Sequence, residues 1–374
     1  MTRKLVTIRK VDEIKAIAGA DLIELAVVDG WQCVVKKGEF KVGDQGLYFE
    51  IDSFLPAEDP RFKFLEKNFS NYKNKYGARI RTIKLKGQIS QGLLLPVSDF
   101  MELAPEKWKS FKEDYDYAEQ LKVIKWDLPQ PPFISSSRKL TWFGKKMKRL
   151  EYSMAKPLVL WLEEKFPNWF ASEGTKPFPS FIPKTDEERI QNLIKKIDAE
   201  SGELYEATVK LDGSSCTVYH NRKKVGVCSR NFDLAKNPDD KFWATANKYD
   251  LPKKLLDLSN NLAIQGELMG PGIQGNREGL STYDLFVYKV WDIDNKRYFS
   301  KTEREMACDK LGLKQVPTLG VLSLKPFRQM EDYLDFAEGP SLLSKQREGI
   351  VFTKVNGQKG FKVIANSYLL KHKE

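Results

Sequence analysis

Histidine is almost missing from this 374-residue chain: His220 and His372 are the only two. Chemistry built on imidazole general bases or imidazole metal ligands is therefore nearly excluded, and lysine and carboxylates are left to do the work. Cysteine is also scarce. Cys33, Cys216, Cys228 and Cys308 are scattered without metal-type pairs, so no structural zinc is expected, and a reducing, cytoplasmic location is. No run approaches the roughly 20 apolar residues of a membrane span. The start, Met-Thr-Arg-Lys-Leu-Val, lacks the apolar core of a signal peptide. No membrane partner is expected.

Positive charge is plentiful. Lysine plus arginine number 62 against 51 acidic residues, a net charge of +11, which favours a polyanionic partner.

Residues 1–125 read as a small β domain. Short apolar stretches at 22–28, 32–35 and 46–51 are separated by turn signals at Asp29-Gly30, Lys36-Lys37-Gly38 and Val42-Gly43-Asp44. Residues 79–85 alternate basic and apolar and read as a further strand. Strands at this spacing predict a barrel, and the OB-fold is the small barrel most often used on nucleic acid. Trp31, Phe54, Arg79, Arg81, Lys84 and Lys86 then form either a stacking and phosphate-binding face or, for the aromatics, plain core. Residues 126–175 hold a Pro/Ser-rich linker from Asp127, a basic and aromatic stretch over 138–149 and an amphipathic helix over 158–169. The basic stretch reads equally as a nucleic-acid contact or a solvated connector.

Residues 176–374 read as an α+β unit with mostly antiparallel sheets. A helix is expected after Thr185 or Asp186, with acids in its first turn. Tyr205 to Tyr219 reads as strand, turn, strand, with Asp212-Gly213-Ser214-Ser215 as the turn of a hairpin. One lysine, Lys210, sits in that apolar frame, where lost hydration disfavours the ammonium form. Most Lys-x-Asp-Gly strings are ordinary turns, so the residues downstream decide whether this one is more. Gln265-Gly266-Glu267-Leu268 ends an apolar strand in an acid. Tyr288 lies in an aromatic strand over 284–293. Glu348 opens a strand after Arg347, and Lys362 lies on a terminal strand in Phe361-Lys362-Val363-Ile364.

In this order, with Lys210, these motifs resemble the covalent nucleotidyltransferase superfamily of ligases and capping enzymes, over about residues 184–365. The resemblance implies an ATP-grasp-like ligase fold and a lysyl-nucleotide formed by attack of Lys210 on an α-phosphate. It implies that Asp212, Glu267 and Glu348, none touching Lys210, position a hydrated Mg²⁺ or Mn²⁺. A metal ion and Lys362 would lower the lysine pKa. Lys362 would meet the α-phosphate, Tyr288 would stack on the base, and Glu267 would also hold the ribose.

The branch it is most similar to is RNA ligase family five, with an OB domain before the nucleotidyltransferase domain. Only nine residues follow Ala365, which is taken to leave no room for the trailing OB domain of DNA ligases and capping enzymes. That resemblance implies Arg189 at the outgoing pyrophosphate and Arg230 at the polynucleotide end or the nucleotide. Ile364 stands where some relatives carry a second lysine, and Lys359 is the candidate substitute. The expected protein is a monomeric, ATP-dependent RNA ligase that joins 3′-hydroxyl and 5′-phosphate ends at nicks in RNA or RNA/DNA duplexes. The alternatives are a GTP-using RNA nucleotidyltransferase and a non-catalytic nucleic-acid-binding protein with a decayed ligase domain.

Overall fold

The computed structural model describes residues 3–104, 111–112, 115–127, 146–147, 158, 161–162, 174–222, 224–257 and 261–372. The basic stretch over 138–149 and the helix expected over 158–169 lie almost wholly outside these residues, as does the Pro/Ser-rich linker.

The first part of the chain is built from strands of two to six residues around a shared core. They are β1 (Val6–Lys10), β2 (Glu13–Ala16), β3 (Ile23–Val28), β4 (Trp31–Lys36), β5 (Gln45–Phe49) and β6 (Ser53–Pro56). Next come β7 (Ser70–Tyr72), β8 (Lys75–Arg79), β9 (Thr82–Leu85), β10 (Gln88–Gln91), β11 (Leu93–Pro96) and β12 (Ile124–Lys125). Their sheets run β1-β5-β11, β2-β3-β4, β12-β6-β8-β7 and β9-β10, the wrapped layout of an OB barrel. The stretch over 79–85, expected as one strand, is two: the chain breaks after Arg79, where Ile80 turns into the core, and restarts at Thr82.

Trp31, Tyr48, Phe49, Phe62 and Phe100 fill the barrel with exposures of 0%. Trp31 and Phe54 are therefore core and not a stacking face: the pleat of β4 turns Trp31 inward with Cys33 and Val35, and Phe54 is buried on β6 with its ring 5.3 Å from that of Tyr72. Arg79 is likewise occupied: it pairs with Asp52 at 2.6 Å and covers the Trp126 ring at 3.6 Å. Arg81, Lys84 and Lys86 remain exposed on the β9–β10 hairpin, beside Ile83 and Leu85.

The second part contains β13 (Lys176–Pro177), β14 (Glu188–Arg189), β15 (Leu204–Lys210), β16 (Ser214–Asn221), β17 (Lys224–Cys228), β18 (Phe232–Asp233), β19 (Leu262–Met269) and β20 (Asp284–Asp292). It continues with β21 (Arg297–Tyr298), β22 (Lys314–Gln315), β23 (Thr318–Ser323), β24 (Gly349–Lys354) and β25 (Gly360–Ile364). Helices α1 (Lys241–Lys248), α2 (Leu251–Leu256), α3 (Lys301–Leu311), α4 (Met330–Ala337) and α5 (Asn366–His372) pack on the sheets. One sheet runs β14-β25-β24-β15-β23; the other runs β13-β18-β17-β16-β19-β20-β21, with β22 beside β20.

Two expectations fail here. β15 and β16 are not a hairpin: they lie in different sheets, and Leu211-Asp212-Gly213 is the crossing between them. Residues 186–188 do not open a helix either. Their acids are spent on tertiary partners (Asp186 on Lys362, Glu187 on Lys289, Glu188 on Asn192), and the chain enters β14 and then a single 3-10 turn over Ile190–Asn192.

Asn192 joins the two parts. Its Oδ1 accepts from Arg9 Nη2 at 2.9 Å and Trp31 Nε1 at 3.1 Å, while its Nδ2 donates to Glu50 at 3.2 Å and Glu188 at 2.7 Å. Gly30 packs so closely on α4 that a Cβ there would stand 2.4 Å from Met330 Cε.

Candidate active site

Lys210 ends β15, a strand fixed from both sides. β23 and β24 flank it, and Glu206 on the same strand accepts a two-pronged bond from buried Arg304 of α3, both contacts at 2.8 Å. Directly opposite Lys210 in the ladder is Gly349. A Cβ there would lie 2.1 Å from the Val363 carbonyl oxygen, so only glycine lets β24 pass between its neighbours. The residue before it, Glu348, is thereby brought onto the lysine: Lys210 Nζ donates to Glu348 Oε2 at 2.7 Å.

Glu267 enters from the other sheet, near the end of β19. Gly213 N donates to its Oε1 at 3.1 Å. A Cβ on Gly213 would stand 2.4 Å from Met269 Sδ and 2.6 Å from the Leu268 carbonyl oxygen. The Asp-Gly pair is thus a sheet-to-sheet crossing that needs glycine for close approach. Asp212 Oδ2 accepts from Tyr368 Oη of α5 at 2.7 Å and is paired with Arg277.

Lys362 lies on β25, in parallel register with Arg189 of β14. Its Nζ donates to Asp186 Oδ1 at 2.9 Å, and Arg230, mostly exposed, reaches the other oxygen of Asp186 at 3.5 Å. Arg189 Nε and Nη1 are buried without a hydrogen-bond partner among the described residues, with the guanidinium 5.8 Å from the Trp31 ring centre. Tyr288 shares its hydroxyl with Thr185 at 3.0 Å and Ser215 at 3.3 Å. Ile364 is core, and Lys359 is exposed ahead of β25.

The electrostatics correct one expectation. Burial alone would lower the Lys210 pKa, but Glu348 and then Glu267 outweigh it and hold the ammonium well above its ordinary value. The lysine is charged here, and Glu348 touches it directly, because the β24 register delivers the acid. Glu267 is pushed up to about 7 by burial, against the pull of Lys210 and with further upward pressure from Glu348. Lys362 is lowered by burial, with Arg189 and Lys210 adding to the effect against Asp186. Asp186 is held at about 2 by Lys362 and Arg230 despite its own burial.

Glu267 and Glu348 thus lie around one ammonium, with Asp212 beyond, and burial, more than the neighbouring acid, disfavours the charge on Glu267. An all-oxygen donor set suits Mg²⁺ or Mn²⁺. Among the described residues no three His, Cys, Asp or Glu side chains converge into a ready-made metal cage. Sequence reasoning missed Tyr368, Arg277, Ser215 and the tertiary role of Asp186. Ser215 and Asp186 read locally only as a turn residue and a helix cap, and nothing local marks Tyr368 or Arg277 as partners of a carboxylate distant in sequence.

An OB barrel ahead of two sheets that meet at a strand lysine, with acids from both sheets around it, defines a covalent nucleotidyltransferase. Residues 5–97 match the family model of an OB-fold domain and residues 203–365 that of RNA ligase. A variant of Naegleria gruberi RNA ligase with ATP and Mn is 39% identical, covers 99% of each chain and superposes with a TM-score of 0.83. Other forms of that ligase, one a variant with AMP and Mn and one with PPi, are each 40% identical with TM-scores of 0.82. They cover 99% of this chain and 99% of theirs, and 100% and 99%, respectively. No curated protein matches. The chain belongs to the RNA ligases. It is a phosphodiester-forming ligase, and its Naegleria relative is seen with ATP and Mn and with AMP and Mn.

Proposed function

We propose that this ligase seals nicks bearing a 3′-hydroxyl and a 5′-phosphate in duplex RNA or RNA/DNA, as a repair activity, through a lysyl-AMP on Lys210. The observation that carries the reading is the meeting of Lys210, Glu348 and Glu267 where the two sheets join.

In the first step the Lys210 nitrogen forms a bond to the α-phosphorus of ATP as the bond to pyrophosphate breaks. Attack requires that Lys210 lose both its proton and its pairing with Glu348. Asp212, Glu267 and Glu348 would hold Mg²⁺ or Mn²⁺; when bound, the ion offsets charge on the α-phosphate. Lys362 and Arg189, adjacent in the β14–β25 register, face the phosphates, Arg189 toward the departing pyrophosphate. Its buried Nε and Nη1, without a hydrogen-bond partner among the described residues, support this: burial outweighs the nearby Glu50 and Asp52, and an anion would complete the guanidinium. Tyr288 takes the base, Glu267 also the ribose, and Arg230 the polynucleotide end or the nucleotide. AMP then passes to the 5′-phosphate, and attack by the 3′-hydroxyl releases it and closes the strand.

Residues 1–125 act as the duplex clamp, 126–175 as a connector and 176–374 as the catalytic unit of a cytoplasmic monomer. Arg81, Lys84 and Lys86 on the exposed β9–β10 hairpin suit phosphates. The test is sealing of duplexes carrying one 5′-phosphate nick, with RNA or DNA on each side. Sealing of the nick is expected in duplexes that contain RNA. Joining of single-stranded ends with nicks left open would sink the proposal.

A further inference from the structure

Asp212 lies on the crossing between the two sheets, two residues past Lys210, and neither motif strand continues through it. Two side chains from elsewhere hold its Oδ2. Tyr368 Oη donates to it at 2.7 Å, and Arg277 Nη1 meets both that oxygen and the Tyr368 hydroxyl. The Arg277 guanidinium also lies over the Tyr368 ring, 5.1 Å from its centre.

Both partners are themselves anchored. Tyr368 is 2% exposed in the core under α5, with the His372 ring 4.5 Å from its own. The backbone N–H of its neighbour Ser367 donates to Glu338 Oε1 at 3.0 Å. Around Arg277, Asn276 closes the turn with bonds of 2.9 and 3.1 Å to the Leu280 backbone, and Glu278 Oε2 accepts from the Leu343 and Ser344 amides at 2.6 and 2.9 Å.

We propose that Arg277 and Tyr368 are positioning residues for Asp212, and that the 270–280 loop and α5 thereby set how tightly the carboxylate site takes a divalent cation. The inference rests on the reading of Asp212 as a metal-site acid. An aspartate on a turn has several χ1 wells open to it. Two anchored donors on one oxygen select one of them, and site geometry tolerates errors of only about 0.5 Å.

Charge and geometry oppose each other at Arg277, which makes the idea testable by sign. As a cation beside the site Arg277 would repel Mn²⁺, so Arg277→Ala would tighten binding if electrostatics ruled. If positioning rules, binding weakens. Tyr368→Phe removes one hydrogen bond with no change of charge.

Full-length protein with AMP would be titrated with Mn²⁺ and free Mn²⁺ read by electron paramagnetic resonance, with thermal melting to show that each variant is folded. Both variants are expected to weaken Mn²⁺ binding by about tenfold or more, the usual effect of losing an outer partner of a metal ligand. Arg277→Lys should recover part of the loss. Tighter or unchanged binding in Arg277→Ala, or unchanged binding in Tyr368→Phe, overturns the proposal. Asp212→Asn separates the two levels. If it weakens binding while the other variants do not, only the positioning role fails; if it changes nothing, Asp212 is not a metal-site acid and the positioning role falls with it.

Discussion

Lys210 Nζ and Glu348 Oε2 stand 2.7 Å apart because Gly349, the next residue after the acid, is paired across the ladder with the lysine. The lysine proposed as nucleophile is therefore stored as an ion pair. Replacing Lys210 with Ala should abolish transfer of label from α-labelled ATP to the protein. Lys210→Arg should do the same, because a guanidinium does not surrender its proton. Labelled protein on a denaturing gel from either variant would remove Lys210 from its role.

Glu267 gives a pH signature. Its carboxyl stands at about 7 against an ordinary 4.5, so the folded protein holds this proton more tightly than the unfolded chain. The resulting stability is full below 4.5 and is lost as pH rises toward about 7. Across that window the melting temperature of metal-free protein should fall more steeply than that of Glu267→Gln. Parallel curves would refute the raised value.

Arg189 should separate stability from activity. A buried guanidinium with two unpartnered nitrogens costs the fold more than a methionine of similar size. Arg189→Met is expected to melt at or above the parent temperature while forming lysyl-AMP roughly ten- to a hundredfold more slowly. It should also resist inhibition by pyrophosphate. Unchanged rates with the same pyrophosphate sensitivity would leave the residue purely structural.

The β9–β10 hairpin should matter after adenylylation and not before. Changing Arg81, Lys84 and Lys86 together to Ala ought to spare labelling by ATP but weaken binding to nicked duplex. The slope of log affinity against log salt should become shallower by roughly 2 to 3, the share of three phosphate contacts. An unaltered slope would move the duplex to another surface.

Gly213 is a packing prediction. Its Cβ would meet Met269 Sδ and the Leu268 carbonyl, so Gly213→Ala should cost about 1–3 kcal/mol in chemical denaturation and push Glu267 off its bond to the Gly213 amide. A variant as stable as the parent would show that the crossing has slack.

Much of this was legible before any coordinates. The order Lys210, Glu267, Tyr288, Glu348, Lys362 marks the superfamily because each residue lies on or next to an apolar strand, and strands announce themselves through β-branched texture and flanking turns. The stacking face expected of Trp31 and Phe54 misled, because an aromatic in a short strand reads the same whether it points into a barrel or out of it.

The sequence by itself determined the composition of the site: a lysine chemistry with carboxylates, almost no imidazole, and an excess of positive charge. Only the tertiary structure decided the connections. Lys210-Leu211-Asp212-Gly213 looks like a hairpin because local turn chemistry is the same for a reversal and for a crossing; which one forms depends on strands distant in sequence, β24 on one side and β19 on the other by way of β16. The same holds for charge. Isolation in an apolar strand would lower the lysine pKa, yet Glu348 raises it, because an acid distant in sequence becomes the nearest neighbour in the sheet.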